Sequence, residues 1–372
     1  MRKLLSMVAL CSASLLTVHA QEARLPGTFR LTFLGDIMAH EVNWRMADYR
    51  DIYRGVEDVL LSDDLTVANL EFPVDPTQPV SGYPFFNARP DYVRAAVEEG
   101  VDAFSVANNH AFDGREEGVF QTLRSIASVR ASARRPVIFS GIRGNDKAPF
   151  LPVSLTVRGV RVGFVAVSQF LNEPDGGRYV NVVDYQDAGS AERFLSFVRD
   201  ASPLFDLFIV SYHGDREYRQ DPDPRKREFF HRVLESGAHI VYGHHPHVVQ
   251  GFEVVRVGGS RRLALYSMGN FISGMTWGLD PAAPEAAPTG ESYLLSVDIA
   301  RDREGVSVTR VEPIPIANYR NGRGEMVVGK LADLAGGAGE VQPAWKAFFA
   351  GRLSLMDDFL SRFAAAAALE LR

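Results

Sequence analysis

The stretch LFIVSYHGD, residues 207–215, decides the fold class. Its apolar run is short, uninterrupted and rich in branched residues, as in a strand buried on both faces. Tyr212, His213, Gly214 and Asp215 follow as a polar cluster. Residues 224–236 then read as a helix, with proline at its first position and Gly237 just past its end. The same order recurs on either side. Strands are expected at 29–34 before Gly35-Asp36, 65–68 before Asn69-Leu70-Glu71, and 103–107 before Asn108-Asn109-His110. Others are expected at 239–242 before Gly243-His244-His245-Pro246-His247 and at 263–268 before Gly269-Asn270-Phe271. Residues 45–61, 90–99, 115–127 and 188–200 read as helices. Segments 151–157 and 161–167 flank a hairpin turn, and 292–299 and 306–312 are further strands. Strand–helix alternation of this kind predicts an α/β fold with a mixed sheet and helices on its faces.

Residues 276–290 (TWGLDPAAPEAAPTG) read as a loop, and 342–369 as one or two terminal helices. Phe348, Leu353, Met356, Phe359, Leu360 and Phe363 form a helical stripe there, which is expected to pack on the core. The Arg-rich run 124–135 reads as a solvated face. The expected organisation is a leader over 1–20, one domain over 28–320, and a C-terminal helical segment over 321–372 packed on it.

The 372 residues are 46% hydrophobic and 23% charged, with a formal net charge of -6. That balance argues against a nucleic-acid or anionic-membrane binder. The basic Met1-Arg2-Lys3, the apolar run 4–18 and the small residues before Gln21 describe a secretory signal peptide cut after Ala20. The expectation is therefore an exported protein, periplasmic or extracellular; an uncleaved membrane anchor is the alternative, and a lipoprotein signal at Cys11 ranks last. The single cysteine is Cys11. Its loss with the leader would leave only nitrogen and oxygen ligands for any metal.

Five polar clusters after strands supply the candidate chemistry, since loops beyond strand carboxyl ends converge on one rim in open α/β sheets. Asp36 suits a helix cap or a metal ligand equally. Glu71, set between apolar residues, needs a cation or hydrogen bonds. Asn109 is either a helix cap or a ligand, and His110 with Asp113 suits a general acid. His213 alone reads as structural. Three imidazoles in four residues, His244, His245 and His247, suit a borderline transition metal. Alternation in extended backbone favours His245 with His247. As a set, Asp36, Glu71, Asn109, His213, His245 and His247 can hold two divalent ions, which orient a phosphoryl group and activate a water. Asn87 and Arg89 read as a surface loop, with contact to an anionic substrate as the other reading. Asn270 is either a brace for the ligands or a simple turn.

The ordered stretches GDIM (35–38), NLEFP (69–73), NNHAFDG (108–114), HGDREY (213–218), GHHPHVVQ (243–250) and YSMGNF (266–271) resemble the calcineurin-like metallophosphoesterase superfamily. Within it they are similar to the bacterial capsule-synthesis CapA/PgsA group, associated with poly-γ-glutamate. The resemblance implies a layered sandwich of mixed β-sheets flanked by helices, and two divalent ions (Mn, Fe or Zn). It implies Asp36 on the first metal, Glu71 bridging, Asn109 and His213 on the second, and His245 and His247 one on each. It implies His110 as the acid with Asp113 beside it, and Glu217 and Tyr218 near the substrate. Superfamily enzymes often carry histidine two residues after the first Asp. Met38 stands there, with His40 two residues further on, so the first metal either loses a ligand or takes His40; His40 is expected to open a helix and point elsewhere. The function implied is an exported metal-dependent hydrolase of the phosphoesterase class, acting on an anionic small molecule or polymer alongside capsule or cell-envelope machinery. The alternative is a non-catalytic assembly or export factor with a structural metal site.

Overall fold

The structure is a computed structural model that describes residues 27–145, 147–301, 305–338 and 343–371. The leader expected over 1–20 lies outside the described residues. Fourteen strands are described: β1 (Thr28–Ile37), β2 (Leu65–Leu70), β3 (Val101–Ser105), β4 (Ile138–Ser140), β5 (Val153–Val157), β6 (Val160–Ser168), β7 (Leu207–His213), β8 (Ile240–His244), β9 (Phe252–Val257), β10 (Ser260–Leu265), β11 (Asn270–Ile272), β12 (Glu291–Arg301), β13 (Val306–Arg320) and β14 (Met326–Lys330). They form two mixed sheets. The first runs β14-β13-β12-β1-β2-β3-β4, with β11 pairing β1; the second runs β5-β6-β7-β8-β10-β9.

Strand alternation divides the apolar residues among three layers. Leu31, Phe33, Val162, Phe164, Leu207 and Ile209 share one cluster between the sheets. Phe208, Val210 and Val241 face outward, where the helices Ala188–Ala201 and Pro224–Glu235 cover them. Leu34 and Phe104 face out from the first sheet beneath the helices Pro90–Glu98 and Arg115–Ser132. The expected layered sandwich of mixed sheets flanked by helices is what forms. Each large apolar side chain buried in it contributes about 1.5–3 kcal/mol.

Two expectations are corrected. Residues 45–61 form no continuous helix; they hold only the short turns Tyr49–Ile52 and Glu57–Leu60, after a further turn at Glu41–Trp44. The cause is tertiary: Gly55 bridges Gly329, and a Cβ on Gly55 would lie 2.3 Å from the Val328 carbonyl oxygen. The stretch 321–372 is not helical throughout, because β14 adds an edge strand to the first sheet before the helices Leu331–Gly336 and Pro343–Glu370. Met356 and Leu360 of the long helix are buried as expected, and Phe349 is buried beside them. Among the described residues no helix is long and apolar enough to cross a membrane.

The parity that fills the inner layer also aims the chemistry. Ser211 and His213 continue the inward face of Leu207 and Ile209, and Tyr242 and His244 continue that of Ile240. Parallel register sets Ser211 beside Tyr242 and His213 beside His244. Opposite them, β1, β2 and β3 are parallel neighbours whose carboxyl ends carry Asp36, Glu71 and Asn109. The Tyr242 hydroxyl donates to the Leu34 carbonyl and ties the two sheets together just below this rim.

Candidate metal centre

The first sheet supplies the oxygens. Gly35 lets β1 cross close to the loop before β11: a Cβ there would lie 2.0 Å from the Gly269 carbonyl oxygen. Asp36 then donates its backbone N–H to that oxygen at 2.9 Å and turns its carboxylate inward. Asn69, in register with Asp36 on β2, gives its amide to Asp36 Oδ1 at 2.9 Å and to Glu71 Oε2 at 3.3 Å. One amide thus holds both buried carboxylates. Asn108 braces the next turn by donating to the Leu70 carbonyl at 2.8 Å. Asn109 follows with its Oδ1 2.8 Å from His213 Nε2.

The second sheet supplies the nitrogens. His213 Nδ1 lies 2.7 Å from His244 Nδ1, and His244 Nε2 lies 2.7 Å from Ser211 Oγ. Assigning protons along this chain, His213 donates to His244 and His244 donates to Ser211. His213 Nε2 is then a bare lone pair facing Asn109 Oδ1, another acceptor. His245 and His247 are not in the extended backbone expected; their φ angles are +104° and +57°. The His-Pro-His segment is a turn rather than a strand end, and backbone held in this region at non-glycine residues marks a constrained site. It carries His245 Nδ1 to 3.0 Å from His213 Nε2 and His247 Nε2 to 3.7 Å from Glu71 Oε1. Asn270, on β11, sets its Oδ1 2.9 Å from His247 Nδ1 and fixes that ring.

Among the described residues, Asp36, Glu71 and His247 each offer a ligand atom within 4.8 Å of the others, and so do Glu71, His213 and His245. Glu71 belongs to both groups. Its Oε1 is buried without a hydrogen-bond partner. Burial pushes Asp36 up to about 7. It raises Glu71 well above the carboxylate range, with repulsion from Asp36 adding to it. Burial also holds His213, His244 and His245 well below the usual imidazole value and His247 down to about 4, so all four rings are neutral at pH 7. Neutral imidazoles and buried carboxylates facing one acceptor-lined space are a donor set for cations. Nitrogen and oxygen donors with no thiolate suit Mn, Fe or Zn. These residues fit divalent metal.

All six expected ligands come together here. His110 stands apart from them, its Nδ1 2.7 Å from Asp113 Oδ2 and its ring edge-on to Phe86. His40 points elsewhere: its Nδ1 accepts from the Gly274 N–H at 3.1 Å, and it belongs to none of the donor groups. Met38 is buried with its carbonyl bound by Tyr92. Asn270 is the brace, not a simple turn. Asn87 is buried rather than on the surface; it accepts from the Asp75 N–H and donates to the Asp75 and Pro79 carbonyls. Arg89 donates to the Pro76 carbonyl, so both hold the loop's shape. Sequence reasoning missed Asn69 and the Ser211–His244 chain, although two-residue parity with Glu71 and His213 was there to find them. It also missed Lys226, buried 3.4 Å from Asp215 and bound to the Gly214 and Tyr266 carbonyls. Burial brings Lys226 down to about 8. Its place on the stripe with Phe229, Phe230 and Val233 was the available signal.

Comparison with known proteins supplies the family. The model for the bacterial capsule synthesis protein PGA_cap matches residues 30–275. The capsule biosynthesis protein CapA of Bacillus anthracis is 29% identical over 265 residues, covering 66% of this chain and 60% of that protein. The PGA biosynthesis protein CapA of Bacillus subtilis (strain 168) is 24% identical over 252 residues, covering 66% of this chain and 63% of that protein. The matched stretch thus spans less than two thirds of either relative's length. Among solved structures, the calcineurin-like phosphoesterase YfkN of Bacillus subtilis aligns over 89% of this chain and 98% of that chain, at 11% identity and a TM-score of 0.44. The chain belongs to the bacterial capsule synthesis family that PGA_cap defines.

Proposed function

We propose that the chain is a two-metal hydrolase of the phosphoesterase class that serves synthesis of a capsule-type polymer. The observation that carries this reading is Glu71, whose unpartnered Oε1 lies between two donor groups that share it. Asp36, Glu71 and His247 would hold one ion, and Glu71, Asn109, His213 and His245 the other. Such a pair supplies charge neutralisation for a phosphoryl group and activation of a water. The chain's own residues do the rest. Asn69 fixes the angle between the carboxylates. The Ser211–His244 relay keeps the proton on His213 Nδ1 and leaves Nε2 free to ligate. Asp113 engages His110 at Nδ1, so Nε2 is the atom that delivers a proton to the leaving oxygen.

The proposal extends to setting. The leader-like residues 1–20 support action outside the cytoplasm, and the names of the Bacillus relatives support a role beside capsule or cell-envelope machinery. An anionic small molecule or polymer is the substrate class that two cations suit; nucleic acid is disfavoured by the acidic net charge of -6. The test is to purify the full chain, measure bound Mn, Fe and Zn, and assay phosphomonoester and phosphodiester reporters. The expected result is two ions per chain and turnover lost on chelation and restored by one of these metals. Bound metal with no turnover would overturn it and leave the assembly-factor reading with its structural metal site; no bound metal would overturn both.

A further inference from the structure

The two halves of the centre are unequally supplied. Glu71, Asn109, His213 and His245 give one position four protein donors, whereas Asp36, Glu71 and His247 give the other three. Met38 offers nothing to the second, and His40 is turned away onto the Gly274 N–H. One further carboxylate reaches this space. Glu217 is solvent-exposed, yet it offers an oxygen within 4.8 Å of ligand nitrogens of both His245 and His247. Its negative charge is felt at buried Glu71, where it adds to that of Asp36. Three carboxylates converging on neutral imidazoles repel one another unless cations lie between them.

The loop that carries Glu217 is built to hold it there. Asp215 and Tyr218, on either side, have φ angles of +104° and +61°. Asp215 roots the loop: its N–H donates to Gln169 Oε1 at 2.9 Å, and its Oδ2 accepts from the Asp223 N–H at 3.2 Å and from Gln250 Nε2 at 3.3 Å. The Tyr218 N–H donates to the Pro246 carbonyl at 2.8 Å, which fastens the loop to the turn between His245 and His247. Arg216 is paired outward with Asp223, while Glu217 and the Tyr218 ring, 6.3 Å from that of His247, face the histidines; of the two, Glu217 carries the carboxylate. Constrained backbone tied directly to the ligand turn is what a preorganised donor needs.

We propose that Glu217 is the fourth protein donor of the Asp36–Glu71–His247 position, supplying from the solvent side the ligand that Met38 does not. This rests on the two-metal reading above. It makes Glu217 part of the metal shell, where the family resemblance placed it near the substrate.

The test is a Mn²⁺ titration of the chelator-stripped full chain, followed by calorimetry and metal count, for the wild type, Glu217→Gln, Glu217→Ala and Asp36→Asn. The wild type should bind two ions. Both Glu217 variants should keep one site at wild-type affinity and weaken the other by at least about 10-fold, at the same site that Asp36→Asn removes. A double Asp36→Asn, Glu217→Gln variant should hold the remaining ion as tightly as Asp36→Asn alone. Glu217 lies on the surface, so the metal-free melting temperatures should match and Mn²⁺ should raise that of Glu217→Gln less. Two unchanged sites in Glu217→Gln would overturn the proposal. A wild type that binds a single ion would overturn the two-metal reading separately; the Glu217 variants would still decide this one, by losing that ion or keeping it. A wild type that binds none would overturn both.

Discussion

The two rims that meet at the centre are made differently. The first sheet brings Asp36, Glu71 and Asn109, all oxygen donors, at or just beyond the carboxyl ends of parallel strands. The second brings His213, His245 and His247, all nitrogen donors, and two of these sit in left-handed backbone. The oxygen rim carries the charge. Its carboxylates are buried against their preference, joined by the Asn69 amide, with Asp36 also accepting the His245 N–H at 3.3 Å; on the proposed reading, cations balance them. The nitrogen rim is neutral and held by constrained backbone and by the Ser211–His244 chain, so it is preorganised without them. The difference suggests a division of labour in which the first sheet sets how much positive charge is bound and the second sets where.

Removing the shared oxygen should break that division most severely. Glu71→Ala is expected to leave fewer than one ion per chain by metal analysis and to lower phosphoester turnover on the order of 10³-fold or more. Asn109→Ala should lose a single ion. His110→Ala separates chemistry from binding: both ions should stay, while turnover falls roughly 10²- to 10⁴-fold. If Glu71→Ala and His110→Ala behave alike in metal content, the separation of ligand from acid is wrong. The braces should act on one half each. Asn270→Ala is expected to weaken the His247 position and Ser211→Ala the His213 position, each by about 10- to 100-fold in metal affinity; paired calorimetric titrations would show one site moved and the other not.

The smallest effect concerns pH. In the metal-free chain Asp36 and Asp63 titrate at about 7, against 3.8 for a free aspartate, because burial penalises their charge. The folded state therefore holds protons that the unfolded chain has released. The stability they contribute is fully present below the unfolded value and is lost as pH rises through 7. The depressed histidines act in the opposite sense, and because their unfolded value is 6.5 that contribution extends to about one pH unit above it. The carboxylate share is therefore read by difference: between pH 6.5 and 7.5 the metal-free wild type should lose roughly 1 °C in melting temperature relative to metal-free Asp63→Asn. A wild type that gains on Asp63→Asn over this interval would show that Asp63 is not buried as described.

The oxygen rim was legible in the amino-acid sequence because its residues obey strand logic. An apolar run followed by Gly35-Asp36, by Asn69-Leu70-Glu71 or by Asn108-Asn109 announces where a chain leaves a sheet. The nitrogen rim was legible in composition, through three histidines in four residues, but not in shape. Nothing local in His-His-Pro-His states that His245 and His247 take positive φ; contacts from the Tyr218 N–H and Asn270 hold them there. Two sheets rather than one open sheet followed from the family resemblance and not from alternation. Residues 45–61 misled because their periodicity suits a helix, while the approach of Gly55 to β14 decides their path. Strand β14 itself lies in a stretch expected to be helical; it turns back at once along β13 through residues 321–325 and pairs with it.

The central claim is that Glu71 lies between two bound cations. Anomalous diffraction from crystals of the Mn²⁺-loaded chain tests it directly. The account predicts two peaks, one among Asp36, Glu71 and His247 and one among Glu71, Asn109, His213 and His245, with Glu71 touching both. A single peak held by Asp36, His213 and His244, the competing donor group, or no peak at all, would contradict it.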